Sequence, residues 1–128
     1  MTARQFRTIA LGFDGAYEHA HMGHPDFRAA NGRIFATLNE RETGGALMLT
    51  PDQQAQLLAD HPDAFAPAAG AWGRGGSTVV TLAAADAETV GEAMTLAWQH
   101  ISQKPASRTS ARRTPARRTP TRRARVRR

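Results

Sequence analysis

No cysteine occurs in the 128 residues, so disulfides, thiolate nucleophiles and cysteine metal ligation are all excluded. No stretch approaches the roughly 18 consecutive apolar residues that a membrane-spanning helix requires. The first residues, MTARQFRTIALGF, show neither the apolar core nor the A-x-A cleavage pattern of a secretory leader. These absences lead to the expectation of a cytoplasmic protein that does not engage a membrane. Aromatic residues are scarce at 6%, with two tryptophans and one tyrosine. No Ser-His-Asp arrangement or pair of carboxylates stands out at a catalytic spacing, so no enzyme activity, catalytic residue or cofactor is expected. One further absence is local: from Lys104 to Arg128 there is no Asp or Glu.

Charge is therefore split along the chain. Residues 1–103 hold six of the basic residues and all eleven acids, a net of −5. Residues 104–128 hold Lys104, Arg108, Arg112, Arg113, Arg117, Arg118, Arg122, Arg123, Arg125, Arg127 and Arg128, a net of +11. Dense arginine without acids is the electrostatic footprint of a protein that binds a polyanion, most often DNA, with RNA as the alternative. The guanidinium fork matches phosphate oxygens and stays charged at any cellular pH. Neutralising six to eight phosphates predicts a log–log salt dependence of about −5 to −7 on duplex DNA. The tail carries no aromatic to stack on bases, so binding without sequence preference is expected, and the minor groove of A·T-rich DNA is a plausible target because it concentrates negative potential.

Arg108-Thr-Ser-Ala-Arg112, Arg113-Thr-Pro-Ala-Arg117 and Arg118-Thr-Pro-Thr-Arg122 repeat at a period of five, which fits neither helix nor strand. Pro115 and Pro120 oppose helix, and self-repulsion with little apolar content opposes a core. The expectation is a folded domain over 1–103 and a disordered tail over 104–128. Thr114-Pro115 and Thr119-Pro120 resemble proline-directed phosphorylation sites, where added phosphate would reduce the positive charge.

The patterning of residues 1–103 is that of an α+β protein. Phe6, Ile9 and Ala10 lie at helical spacing over 3–12, with Thr2 placed to cap. An antiparallel meander of three strands is expected within 17–49. Two of its strands, 27–30 and 33–38, flank an Asn31-Gly32 turn of type I′. The apolar residues of 33–38 fail to alternate cleanly, which suggests a central strand. Thr50-Pro51-Asp52-Gln53 combines a cap, a first-turn proline and a capping box, and predicts a helix over 51–60 that buries Leu57 and Leu58 and stops at His61-Pro62. Residues 66–76 read as a loop and 77–82 as a strand. A helix from 86 to about 102 presents Val90, Met94, Ala97, Trp98 and Ile101 on one face. Short connections between these elements predict one antiparallel sheet with helices packed on one face, in two layers.

Ala20-His21-Met22-Gly23-His24-Pro25-Asp26-Phe27-Arg28, followed by Gly32-Arg33-Ile34-Phe35-Ala36-Thr37-Leu38, resembles the MmcQ/YjbR family of small bacterial proteins. The Pro51-Asp52-Gln53-Gln54 helix start, the Trp72-Gly73 loop and the final Ala97-Trp98 helix fall in the same order. The resemblance covers residues 3–103 and implies a frataxin-like (CyaY-like) fold. It also implies DNA binding, on the strength of a double-wing structural analogy, and brings no catalytic residues. The arginine tail is not part of that pattern.

Within the domain, Arg28 and Arg33 flank the expected hairpin and are candidate phosphate contacts. Trp72 and Arg74, among glycines, either form a wing presented to a ligand or a connection pinned by Trp72 against the core. His21, His24, Phe27 and Trp72 are candidate walls of a ligand cleft. His19 and His21 share a strand face and could bind a divalent metal such as zinc with Asp26 or Glu18 nearby, but solvated or hydrogen-bonded histidines explain the pattern more simply, and no metal is expected. His24-Pro25 reads as a turn. The leading expectation is a monomeric, nucleoid-associated DNA-binding accessory protein whose tail grips phosphates. The alternative is a small-ligand or protein-interaction module that its tail merely localises to nucleic acid.

Overall fold

Two capping boxes set the first helices of the computed structural model, which describes residues 1–107. Thr2 Oγ1 accepts from the Gln5 amide at 3.1 Å and Gln5 Oε1 accepts from the Thr2 amide at 2.8 Å, opening α1 (Ala3–Leu11). Thr50 and Gln53 repeat the arrangement at 3.1 and 3.0 Å to open α2 (Pro51–Asp60), with Pro51 at its first position and His61 ending it. Such a box satisfies two amides that no helical carbonyl can reach. Leu57 and Leu58 are only half-buried, so α2 contributes less to the core than its pattern predicted.

Six strands form one antiparallel sheet in the order β1-β2-β3-β4-β6-β5. They are β1 (Tyr17–His21), β2 (His24–Arg28), β3 (Ile34–Leu38), β4 (Gly44–Met48), β5 (Phe65–Pro67) and β6 (Ser77–Thr81). The expected three-stranded meander is thus four-stranded, because β1 and β2 are joined by a tight turn at Met22-Gly23. Both residues there have positive φ, 51° and 80°, as a type I′ turn demands. His24-Pro25 is accordingly not a turn. Pro25 opens β2 opposite Ala20, at a position that β3 does not pair, so its missing amide leaves that ladder intact.

Asn31-Gly32 does not form the expected two-residue turn either. The strands close at Arg28 and Ile34, the loop between them is longer, and only Gly32 takes a positive φ, at 83°. Asn31 is occupied elsewhere: its Nδ2 donates to the carbonyls of Ile101 at 2.8 Å and Lys104 at 3.0 Å, while its Oδ1 accepts from the Arg33 amide at 3.0 Å. Tertiary hydrogen bonds override the local turn preference. A register shift also falls between Phe27 and Arg28, where β3 has one extra residue. That bulge is why apolar residues of β3 fail to alternate: Phe35 and Ala36 are consecutive and both fully buried.

α1 and α4 (Ala87–Ser102) cover one face of the sheet. Asp86 caps α4 by accepting from the Thr89 amide at 2.8 Å. Val90, Met94, Ala97 and Ile101 face inward onto Phe6, Phe27, Phe35, Leu47 and Val80. Full burial of each large side chain contributes roughly 1.5–3 kcal/mol. Trp98 is half-buried and stacks on Phe13, ring centroids 5.2 Å apart. Residues 66–76, expected to be a loop, hold β5 and the short helix α3 (Gly70–Arg74). Gly73 allows this tight path, since a Cβ there would lie 1.8 Å from the Ala68 carbonyl oxygen. No helix among the described residues is long and apolar enough to cross a membrane. The expected disorder of the tail, its arginines from Arg108 to Arg128 and the two Thr-Pro dipeptides lie outside the described residues.

Candidate functional site: an acid-free groove on the open face of the sheet

Antiparallel register places His19, Asp26, Thr37, Ala46 and Val79 in one row across the sheet, on the face away from α1 and α4. Asp26 has no exposed surface. Its Oδ1 accepts from Arg28 Nε at 2.9 Å, and its Oδ2 meets His21 Nδ1 at 2.7 Å. Asp26 and Arg28 are two apart on β2, so their side chains point the same way. Burial pushes the Asp26 carboxyl up, but the hydrogen bonds and charges of Arg28 and His21 outweigh that and hold it below the ordinary carboxylate range. The same contact raises the pKa of Arg28. Asp26 is therefore an ionised, covered counter-charge beneath a basic surface.

Above this trio runs an open groove of about 880 Å³. It extends from His21 and Thr37 past Arg28 and Met48 to Trp72 on α3, and ends at Arg33, His100 and Lys104. No Asp or Glu lines it, although the domain as a whole is acidic. The contrast with the other side is direct. The hollow of about 400 Å³ between α2 and α4 is bordered by Asp52, Asp60 and Glu92. Among the described residues, Arg33, Arg74 and Lys104 enter no ion pair with an acid. Burial, and then the charge of Lys104, lowers the pKa of His100 at the groove's far end.

Trp72 is 76% exposed, so it is presented to solvent and not pinned against the core. Its helix is held from behind: Gln54 Nε2 donates to the carbonyls of Gly73 and Ser77, both at 3.0 Å. Residues 104–107 close the other wall. The Ser107 amide donates to the Asn31 carbonyl at 2.9 Å, and Arg33 Nε donates to the Pro105 carbonyl. The described start of the basic segment, residues 104–107, thus lies at the rim of the groove.

Of the residues expected from sequence, Arg28, Arg33, His21 and Trp72 are brought together here. Arg74 is exposed on α3 outside the lining. His24 borders a neighbouring hollow of about 490 Å³ with His21, Asn39 and Thr81. Phe27 is not a cleft residue. It is fully buried on the helix-covered face, its ring centroid 6.0 Å from that of Phe6, because it sits one residue out of phase with Asp26 and Arg28. Among the described residues no three His, Asp or Glu side chains converge as metal ligands. Sequence reasoning offered Asp26 only as a metal-ligand neighbour of His19 and His21, not as the partner of Arg28, and it did not place Met48 or His100 at the site. The Asp-x-Arg spacing of 26 and 28 was the available signal for Asp26, whereas Met48 and His100 meet only in the tertiary fold.

A family model described as YjbR matches residues 11–100. The fold is similar to the crystal structure of Deinococcus radiodurans protein DR2400, described with domain DUF419, at a TM-score of 0.69 and 18% identity. That similarity covers 88% of this chain and 86% of that one. No curated protein matches the chain.

Proposed function

Since the chain belongs to the YjbR family, whose name carries no chemistry, we propose a function from the groove and the tail: this is a DNA-binding accessory protein that holds the phosphate backbone largely without regard to sequence. The observation that carries this reading is continuity of positive charge. Arg33 and Lys104 line a groove without acids, above the paired Arg28 and Asp26, and Lys104, the first of the eleven cations of residues 104–128, lies at its rim. An acidic domain would repel DNA over most of its surface, so an acid-free approach on one side selects the face that DNA meets. The tail supplies most of the affinity and the groove orients the domain. The two-layer arrangement, with one sheet face left open, supports reading the fold as CyaY-like, and the proposed DNA binding would associate the protein with the nucleoid.

The test is binding of the full chain to a labelled duplex across a salt series, beside a full-length variant with the ten tail arginines changed to glutamine. A slope of about −5 to −7 for the native chain, reduced to about −1 to −2 in the variant, supports the proposal. Binding that is indifferent to salt, or unchanged in the variant, overturns it.

A further inference from the structure

Charge accounts for the rim of the groove but not for its floor. A groove meant only for phosphates needs no large aromatic surface, yet Trp72 leaves 76% of itself in solvent within it, in a lining that also includes Met48 and Ile34. An exposed indole that shares a groove with further apolar side chains and a polar rim marks a binding surface. Its backbone is fixed: Gln54 ties the Gly73 carbonyl to that of Ser77, and Gly73 packs directly on the Ala68 carbonyl. We infer that this groove is a subsite for single-stranded DNA, in which an unpaired base stacks on Trp72 while Arg33 and Lys104 hold the phosphates that flank it.

The inference rests on the DNA-binding reading and narrows it. A cationic groove combined with an aromatic platform is the arrangement that accepts single strands, because every base has a stacking face and needs no particular edge contact. In a duplex that face is already covered by neighbouring bases, so Trp72 gains nothing from it. The volume of about 880 Å³ is within the ~300–1,000 Å³ of small-ligand sites and suits a nucleotide or two. The tail and the groove therefore divide the work. The tail engages any phosphate backbone, and the groove distinguishes unpaired from paired DNA.

Trp72 also provides the readout. The other tryptophan, Trp98, has a buried Nε1 with no hydrogen-bond partner, so Trp98→Phe forfeits no such bond and leaves Trp72 as the sole indole emitter. The experiment titrates full-length Trp98→Phe protein with oligodeoxythymidine, with a duplex of equal length and with oligouridine, following tryptophan emission and anisotropy together. In parallel, Trp72→Ala is made in the native chain. The expected result is quenching by the single strand and not by the duplex. In Trp72→Ala, single-strand affinity falls about 5- to 100-fold while duplex affinity changes less than about twofold. Lys104→Gln should reduce the single-strand salt slope by roughly 0.7. Equal, unquenched binding of both DNA forms, with the steep salt slope retained, overturns the inference and leaves the DNA-binding proposal standing. Failure of every DNA to bind overturns both. Preference for oligouridine by more than tenfold overturns the assignment to DNA.

Discussion

Arg28 donates through Nε to Asp26 Oδ1 at 2.9 Å, so the deepest cation of the groove already has its counter-charge beneath it. Arg28 is mostly buried and Asp26 entirely so. Such a pair fixes geometry more than it adds affinity, because removing either member strands a charge away from water. Arg28 is thus a structural wall of the groove, which under the proposed function leaves the phosphate contacts to Arg33 and Lys104.

Asp26→Ala is expected to lower stability by about 3 kcal/mol, from the stranded Arg28 and the lost His21 contact. Its pH dependence is also defined. The folded-state pKa lies below the unfolded one, so this carboxylate stabilises fully above its ordinary value of 3.8 and loses that contribution as pH falls through the lower folded value. Denaturant titrations from neutral to acid pH should show an acid limb that is flatter in Asp26→Ala. An unchanged acid limb would remove Asp26 as its source.

His100 acts in the same direction, losing stability as pH falls, but in a different pH window. Its folded-state pKa is lowered from 6.5 by burial and by Lys104, so the unfolded chain binds its proton first. Folding stability is therefore lost as pH falls through the ordinary histidine value, well before Asp26 titrates. Comparing denaturation midpoints at about pH 7.5 and 5.5 should show a drop in the native chain that is smaller in His100→Gln. An equal drop in both would place the effect on another histidine.

Helix caps were legible because they close over a few residues, whereas the equally local turn at Met22-Gly23 was not, since His24-Pro25 looked like the turn. Thr2, Thr50 and Asp86 cap the helices they were expected to cap, and the inward stripe of α4 follows its spacing. What else failed was decided at a distance. Asn31 looked like a turn residue, but the carbonyls of Ile101 in α4 and of Lys104 just beyond it claim its amide. β3 looked irregular because of a bulge that pairing with β2 creates. The site divides in the same way. Arg28, Arg33, His21 and Trp72 were nameable from their residue types, but that they share one groove, and that Phe27 lies on the other side of the sheet, depends on strand phase.

Gly73 ties the fold to the platform. An alanine there would place its Cβ 1.8 Å from the Ala68 oxygen and 2.8 Å from the Ala68 carbon, both backbone atoms that cannot rotate aside. Gly73→Ala should cost about 1–3 kcal/mol and push α3 outward. Urea denaturation measures the first effect. Iodide quenching of Trp72 in the Trp98→Phe background measures the second, and an unchanged quenching constant would show that α3 absorbs the methyl without moving Trp72.

Asn31 fastens the start of the basic segment to the domain, through Nδ2 to the Ile101 and Lys104 carbonyls and through its own carbonyl to the Ser107 amide. Asn31→Ala keeps the backbone bond but removes both side-chain bonds to the end of α4 and the one to the Arg33 amide. Net values near 1 kcal/mol per bond, partly recovered by water at this exposed edge, give an expected loss of about 1–2 kcal/mol. The local effect should exceed the global one. Amide exchange at Arg33 and Ser107 should accelerate well beyond the change in global stability, because only this clasp opens. Lys104 then loses a bond that fixes its backbone at the rim of the groove. Duplex affinity, carried by the tail, should stay within about twofold, while single-strand affinity should fall toward that of Trp72→Ala. Exchange at Ser107 that follows global unfolding alone would mean that the clasp is held by contacts other than Asn31.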